Sequence, residues 1–537
     1  MLTLKIFYLL NAYPQKYFQN NKKTLNFVTQ KILRIIRENN DYYKSIRDII
    51  NYMRYLFELT LITLIAIFFF ILGILVKTKI DINSQENAAF TLPVIEYPSK
   101  MSLRRFSGGL KYKTISTSIY EQADFTQFKG FIKYIQTQYH PVFSKCEVEF
   151  VNKYGIVLKL SGKDSEKLPN LLTAHYDTAG IEDETKWKYA PFSGYFDEEY
   201  IYSRGTIDAK GSVFAILESL NELIKQNFQP EADLYIAFSH TAENGSNQGS
   251  QKIMQYFQSK NIHFNTVLNE GGRIINKHGK YYAFIGTEEK GRLLSKITVK
   301  SKGGYAGLPE NNSAVEKLAK LINAFSKNKS KAVLTKELKE YYYKTYSSYR
   351  YRTKILISNI NLLRPLFYWH MSKYTGDNAR LRSTYAVTVI EASNIQNAVS
   401  SEASMIIDAR IIPSQTVDET KKYLERIIKK TLRDKNTKIE YLTAIEPCSS
   451  SSTESDEYKK LVDNIQKLYP GLIVTPYLTL VSTEARDYSL IADNTYRFLP
   501  AVLTDEEAAL MHADNEKISI ENWARMIAFY KEFIQTR

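Results

Sequence analysis

The chain has 537 residues, a formal net charge of +15 at pH 7, 44% hydrophobic residues and two cysteines. That length allows about three domains, and so few cysteines exclude a disulfide framework and a cysteine-based zinc site. The positive charge invites a nucleic-acid reading, but residues 1–80 carry twelve Lys/Arg against four Asp/Glu, more than half of the excess, and no nucleic-acid motif stands in the remainder.

The excess belongs to a basic arm over residues 1–55, which has no acid before Glu38. The arm leads into LTLITLIAIFFFILGILV, Leu59–Val76, an uncharged run of 18 residues between Arg54 and Glu58 on one side and Lys77 and Lys79 on the other. A helix of that length nearly spans a bilayer core. Apolar residues surround it completely, whereas a helix packed on a soluble core keeps a polar stripe. It is too long and too far from the start for an ordinary cleaved signal peptide. The run predicts one transmembrane helix over 56–78 in contact with membrane lipid, with the arm held on the cytosolic or matrix side. An acid-free start rich in Lys and Arg also resembles a mitochondrial targeting segment. The mitochondrial inner membrane and a secretory or vacuolar membrane therefore both stay open.

Past the anchor, four segments bring metal-ligand residue types to the ends of predicted strands. PNLLTAHYDT runs into His175 and Asp177, SRGTIDAKG puts Asp208 in a turn, YIAFSHTAE ends at Glu243 and TVLNEGG ends at Asn269. Ligands of α/β sheets gather outside the carboxyl ends of strands. Between them, VFAILESLNELI has apolar residues at 213, 216, 217, 220, 223 and 224, the spacing of a helix packed on one face. Strands alternating with such helices predict an α/β fold with a largely parallel sheet. A lone HxD more often makes a structural hydrogen bond than a metal site; four such strand ends in this order are harder to assign to chance.

Together with Trp187, PFSG (191–194), EEKG (288–291), ILISNINLLRPL, NARLRSTYAVT, ARIIPSQT, YRFLP and HADNEKIS, these segments resemble the M20 zinc peptidases. Within them the likeness is to the branch of carboxypeptidase S and the N-fatty-acyl-amino acid synthase/hydrolases. It spans about residues 125–537. It implies a zinc-binding α/β domain in two parts, 80–292 and 443–537, interrupted by a smaller α+β lid over 293–442. LLSKITVKSKGG and TKIEYL read as the lid's first and last strands. The resemblance further implies two zinc ions sharing Asp208. His175 and Asn269 would complete one site, Glu243 and His512 the other, with Asp177 orienting His175. It places Asn397, Arg410, Thr483 and Arg486 around a substrate carboxylate, with Glu484 where the family has Asp.

Three positions depart from that pattern. The family loop is His, Asp, Glu, Glu, with the first Glu as general base; here it reads His240, Thr241, Ala242, Glu243, and the base is gone. Asn269 stands where the family has an Asp ligand, so an oxygen without charge replaces a carboxylate. Tyr305 stands where the lid histidine polarises the scissile carbonyl, and a phenol carries no positive charge near neutral pH. A positioned base is worth about 10²- to 10⁴-fold and one oxyanion donor about 10²- to 10³-fold. The expectation is a membrane-anchored pseudoenzyme that holds at most one zinc tightly, or none, and acts as an accessory part of a membrane assembly with other membrane subunits, or as a binder of N-acyl amino acids or peptides, with no nucleic-acid partner. The alternative is a working zinc hydrolase that breaks or forms amide bonds of N-acyl amino acids or small peptides, with Glu270 or Glu288 replacing the lost base.

Overall fold

The structure is a computed structural model and describes residues 23, 26–30, 33, 42–84, 90–117, 119–245, 247–277, 279–309, 311–433, 436–448 and 450–537. Most of the basic arm predicted over 1–55 lies outside the described residues. The chain divides into two units, Met1–Asp81 and Ile82–Arg537.

In the first unit, a single helix, α1, begins at Tyr42 and continues without a break to Ser84, just past the unit's end. Its part from Ile50 onward is long and apolar enough to cross a membrane, and none of the most apolar stretch is buried in protein.

The second unit is built on a mixed, mostly parallel sheet of eight strands. Its N-terminal strands are β1 (Glu147–Val151), β2 (Gly155–Leu160), β3 (Asn170–His175), β4 (Leu234–Ser239), β5 (Phe264–Lys277) and β6 (Lys280–Glu289). The chain then makes a second sheet from β7 (Gly291–Lys300), β8 (Thr384–Glu391), β9 (Glu402–Ile411) and β10 (Thr437–Ile445), and returns to the first with β11 (Ile473–Thr479) and β12 (Ala492–Val502). The main sheet has the order β1-β2-β4-β3-β5-β12-β6-β11. Its centre, β4-β3-β5-β12, is parallel. β3 and β4 are buried along their whole length, as continuous apolar runs in a sheet covered on both faces must be.

Helix α2 (Lys210–Lys225) shows the predicted period but is buried on almost every side, because α5 (Ile520–Gln535) lies over its outer face. Phe106, Phe214 and Trp523 interlock there, with Phe106 stacked 4.8 Å from Trp523. Glu218 on α2 is buried in this layer and is satisfied by Arg105 at 2.6 and 2.7 Å and by the Tyr139 hydroxyl at 2.7 Å.

The second sheet, order β8-β9-β7-β10, is antiparallel throughout. Helices α3 (Ala314–Lys327) and α4 (Val417–Leu432) pack on it around Leu293, Ile297, Leu318, Met405 and Leu424. Both begin at capping boxes, Ser313 with Glu316 and Thr416 with Glu419, which satisfy their first free N–H groups. Between α3 and β8 the chain makes a helical excursion, Lys336–Leu381, whose Tyr341, Tyr342, Phe367 and Met371 pack against Tyr282 and Phe284 of β6. Lys290 pins it: its Nζ donates to the carbonyls of Ala379 and Arg382 at 3.0 and 2.9 Å, and burial pushes its pKa down to about 7. Cys146 and Cys448 are both buried and free.

Candidate metal centre

β3 delivers His175 at its carboxyl end, next to the loop that follows β4. His175 Nε2 lies 2.9 Å from Asp208 Oδ1 and 3.1 Å from Glu270 Oε1. The other oxygen of Asp208 lies 3.0 Å from His512 Nε2, which is also 3.0 Å from Glu243 Oε2. The result is two triplets, His175/Asp208/Glu270 and Asp208/Glu243/His512, joined through Asp208, with the ligand atoms of each within 4.8 Å of one another. Two imidazoles and three carboxylates are a donor set that suits zinc.

Electrostatics point the same way. Asp208 and Glu243 push the pKa of His512 up to about 10. Burial alone would lower that of His175, but Glu270, Asp177 and Asp208 hold it well above the usual imidazole range. Burial would raise Asp208, yet the two imidazoles keep it below the ordinary carboxylate range. A divalent ion held by either triplet would compete with protons for these histidines.

Asp177 is fully buried and accepts from His175 Nδ1 at 3.1 Å, from the backbone N–H groups of Ala242 and Glu243 at 3.2 and 3.0 Å, and from the Ser116 hydroxyl. Its carboxylate thus holds both the His175 ring and the loop that carries Glu243. The Ala242 side chain adds only a methyl group there.

Asn269 is buried beside this cluster; its Nδ2 donates to Thr173 Oγ1 at 2.7 Å and its Oδ1 has no protein partner. An unpaired buried oxygen is what a cation ligand leaves behind when no cation is counted. The sequence reading missed that Glu270 reaches the same place and replaces the carboxylate that Asn269 lacks. Consecutive strand residues should face opposite sides, but the β5–β12 register slips after Asn269↔Arg497, and Gly271 adopts φ 145°. The expectation of a single tight metal rested on that missing carboxylate, and Glu270 brings a carboxylate to the first triplet. The only carboxylate of NEGG was the available signal. Glu288, the other stand-in considered for the base, lies in neither triplet. Burial and Glu337 push its pKa up to about 7, and it faces Ser450.

Tyr305, at the lid-histidine position, and the expected substrate residues have other surroundings. Tyr305 is 68% exposed on a short ribbon, Gly304–Tyr305 paired with Ala398–Val399. The neighbouring Asn397 accepts from Ala306 N–H at 3.1 Å. Arg410 on β9 holds Asp408 at 2.9 Å. Thr483 donates its N–H and hydroxyl to Glu289 at 2.9 and 2.6 Å, and Glu289 also accepts from the fully buried Arg497 at 2.8 Å. Arg486 lies 3.7 Å from Asp487. Among the described residues, none of Tyr305, Asn397, Arg410, Thr483 and Arg486 forms a hydrogen bond or ion pair with a residue of the triplets.

One positioning feature was not read from the sequence. Arg204 and Glu516 form a buried pair at 2.9 Å. Glu516 accepts from the N–H groups of Gly205 and Ile207 at 3.1 and 2.8 Å, and Arg204 donates to the carbonyls of His512 and Ala513 at 3.2 and 2.9 Å. The pair therefore ties the Asp208 turn to the His512 loop. Glu484 is buried against the Ser239 hydroxyl at 2.6 Å, and burial, partly offset by His175, pushes its pKa up to about 8.

Residues 171–536 match the profile of the peptidase family M20/M25/M40. The chain belongs to this family. M20 relatives with similar sequences include the probable carboxypeptidase S-like 2 of Dictyostelium discoideum, 30% identical over 446 residues that cover 80% of this chain and 84% of that one. The N-fatty-acyl-amino acid synthase/hydrolase of Xenopus tropicalis is 28% identical over 457 residues, covering 84% and 88%. An M20 family metallo-carboxypeptidase from Sulfolobus solfataricus shares the fold, with a TM-score of 0.60 at 18% identity over 82% of this chain and 99% of its own.

Proposed function

We propose that this M20 protein is a membrane-anchored metalloprotein with a complete paired metal site and strongly impaired amide hydrolysis, serving as an accessory subunit of a membrane assembly. The observation that carries the reading is Ala242. Asp177 fixes the loop backbone at Ala242 and Glu243, so the loop keeps its hold on Glu243 while the neighbouring position offers no proton acceptor. His175, Asp208 and Glu270, with Asn269 beside them, would hold one zinc, and Asp208, Glu243 and His512 a second. Bound zinc supplies Lewis acidity and a more acidic water. Asp177 keeps His175 in the tautomer that presents Nε2. The missing general base costs about 10²- to 10⁴-fold. The membrane part of the reading is supported by α1.

The test is turnover of N-acyl amino acids and dipeptides by the zinc-loaded full chain in detergent. Wild-type protein should not exceed a metal-free control, and Ala242→Glu should raise the rate at least about 10²-fold. A second reading, an active zinc hydrolase of N-acyl amino acids or small peptides, is favoured by one observation, the carboxylate that Glu270 restores. Robust wild-type turnover abolished by His175→Ala or His512→Ala would establish it instead.

A further inference from the structure

Residues 341–376 contain six Lys/Arg and no Asp/Glu. One side of this segment is accounted for by Tyr341, Tyr342, Phe367 and Met371, which are buried against the edge of the main sheet. The other side is not. Leu362, Leu366 and Trp369 are 56%, 48% and 60% exposed; Leu366 and Trp369, three residues apart on the helix Arg364–Met371, share a face, and Leu362 lies in the turn just before it. Tyr351 and Tyr374 are also exposed, and Lys373 Nζ sits 3.3 Å over the Trp369 ring. Single exposed leucines are ordinary, but several large apolar side chains exposed within one short segment mark an interaction surface.

The surroundings say what covers it. Ile82, in the last turn of α1, packs onto the same aromatic cluster that the excursion forms on β6. Val76, the last residue of the apolar run, is six residues earlier on that continuous helix, about 9 Å away at 1.5 Å per residue. The segment's charge is of the sign that anionic headgroups attract, and its Trp and Tyr are the side chains that settle at a membrane–water boundary.

We propose that the face running from Tyr351 to Tyr374 lies on the bilayer surface. Leu362, Leu366 and Trp369 enter the boundary between headgroups and acyl chains, and Arg350, Arg352, Arg364 and Lys373 lie among anionic headgroups. The proposal rests on reading α1 as a membrane span. It adds a surface contact with lipid to the spanning helix.

Spin labels on cysteines placed at Leu366 and Trp369 of the full chain, in phosphatidylcholine vesicles with and without phosphatidylserine, test this. Phe69→Cys in α1 reports lipid, and Phe150→Cys on β1, at the opposite edge of the sheet, reports water. The labels at 366 and 369 should collide more with oxygen than with a water-soluble nickel chelate, as at 69, most strongly with phosphatidylserine. Replacing Arg350, Arg352, Arg364 and Lys373 by Gln should remove the phosphatidylserine dependence. Aqueous labels at 366 and 369 with a lipid signal at 69 would overturn the proposal and leave the anchor standing. An aqueous signal at 69 would remove the anchor and the proposal together. Labels already shielded from both reagents in detergent would show that a protein partner or a second copy covers the face, which also overturns it.

Discussion

Asn269 and Glu270 are neighbours on β5, and the chemistry of the first triplet turns on which of them carries charge to His175. An amide oxygen adds no charge to offset a divalent ion; a carboxylate does, and the structure puts the Glu270 carboxylate 3.1 Å from His175. Glu270→Gln should therefore lose one of the two zinc ions from the purified protein, measured by elemental analysis, while Asn269→Asp should retain both. Two tightly held ions in Glu270→Gln would show that Asn269 suffices. His175, Asp177, Asp208 and Glu243 were legible as candidates because each stands near the end of a predicted strand or in a turn, whereas His512 entered only through the family resemblance of HADNEKIS. Glu270 was not, because a slipped register and a glycine at positive φ reverse the side to which a strand residue points. Glu484 gives a second test at this scale. Its folded pKa is about 8, above an ordinary carboxylate, so the folded state binds more protons than the unfolded chain between the two values. Stability contributed by this group is present at low pH and is lost as pH rises through about 8. In metal-free protein, Glu484→Gln should gain thermal stability relative to wild type at pH 8 compared with pH 5; a difference that does not change with pH would refute the assignment.

Among the elements, the Asp208 turn and the His512 loop are far apart in sequence and are joined by Arg204 and Glu516. Removing one partner of a buried pair strands the other charge, at a cost of about 3–5 kcal/mol. Arg204→Met should lower unfolding stability by that order in chemical denaturation and weaken zinc retention, since both triplets share Asp208. Unchanged stability would mean that the pair is dispensable. Helix α2 and strands β3 and β4 could be read from apolar periodicity and continuous apolar runs. The excursion at 336–381 could not, because its abundant tyrosines bury rings and expose hydroxyls, so apolar spacing does not reveal which side is inside.

For the whole molecule, α1 sets the first expectation. A spanning helix resists high salt, which only screens charge, so the chain should leave membranes with detergent and remain with them after a salt wash. Release by salt alone would exclude a span. The sheet order carries a different consequence. β5 and β6 are consecutive and pair at their hairpin end, yet β12 enters between them elsewhere and pairs with both. At about 5–20 residues per second on the ribosome, the roughly two hundred residues between β6 and β12 take about ten to forty seconds to appear. Throughout that interval the two strands have open edges where β12 will lie. The central sheet therefore cannot close until β12 has been made, and a nascent chain needs protection from strand-edge association until then.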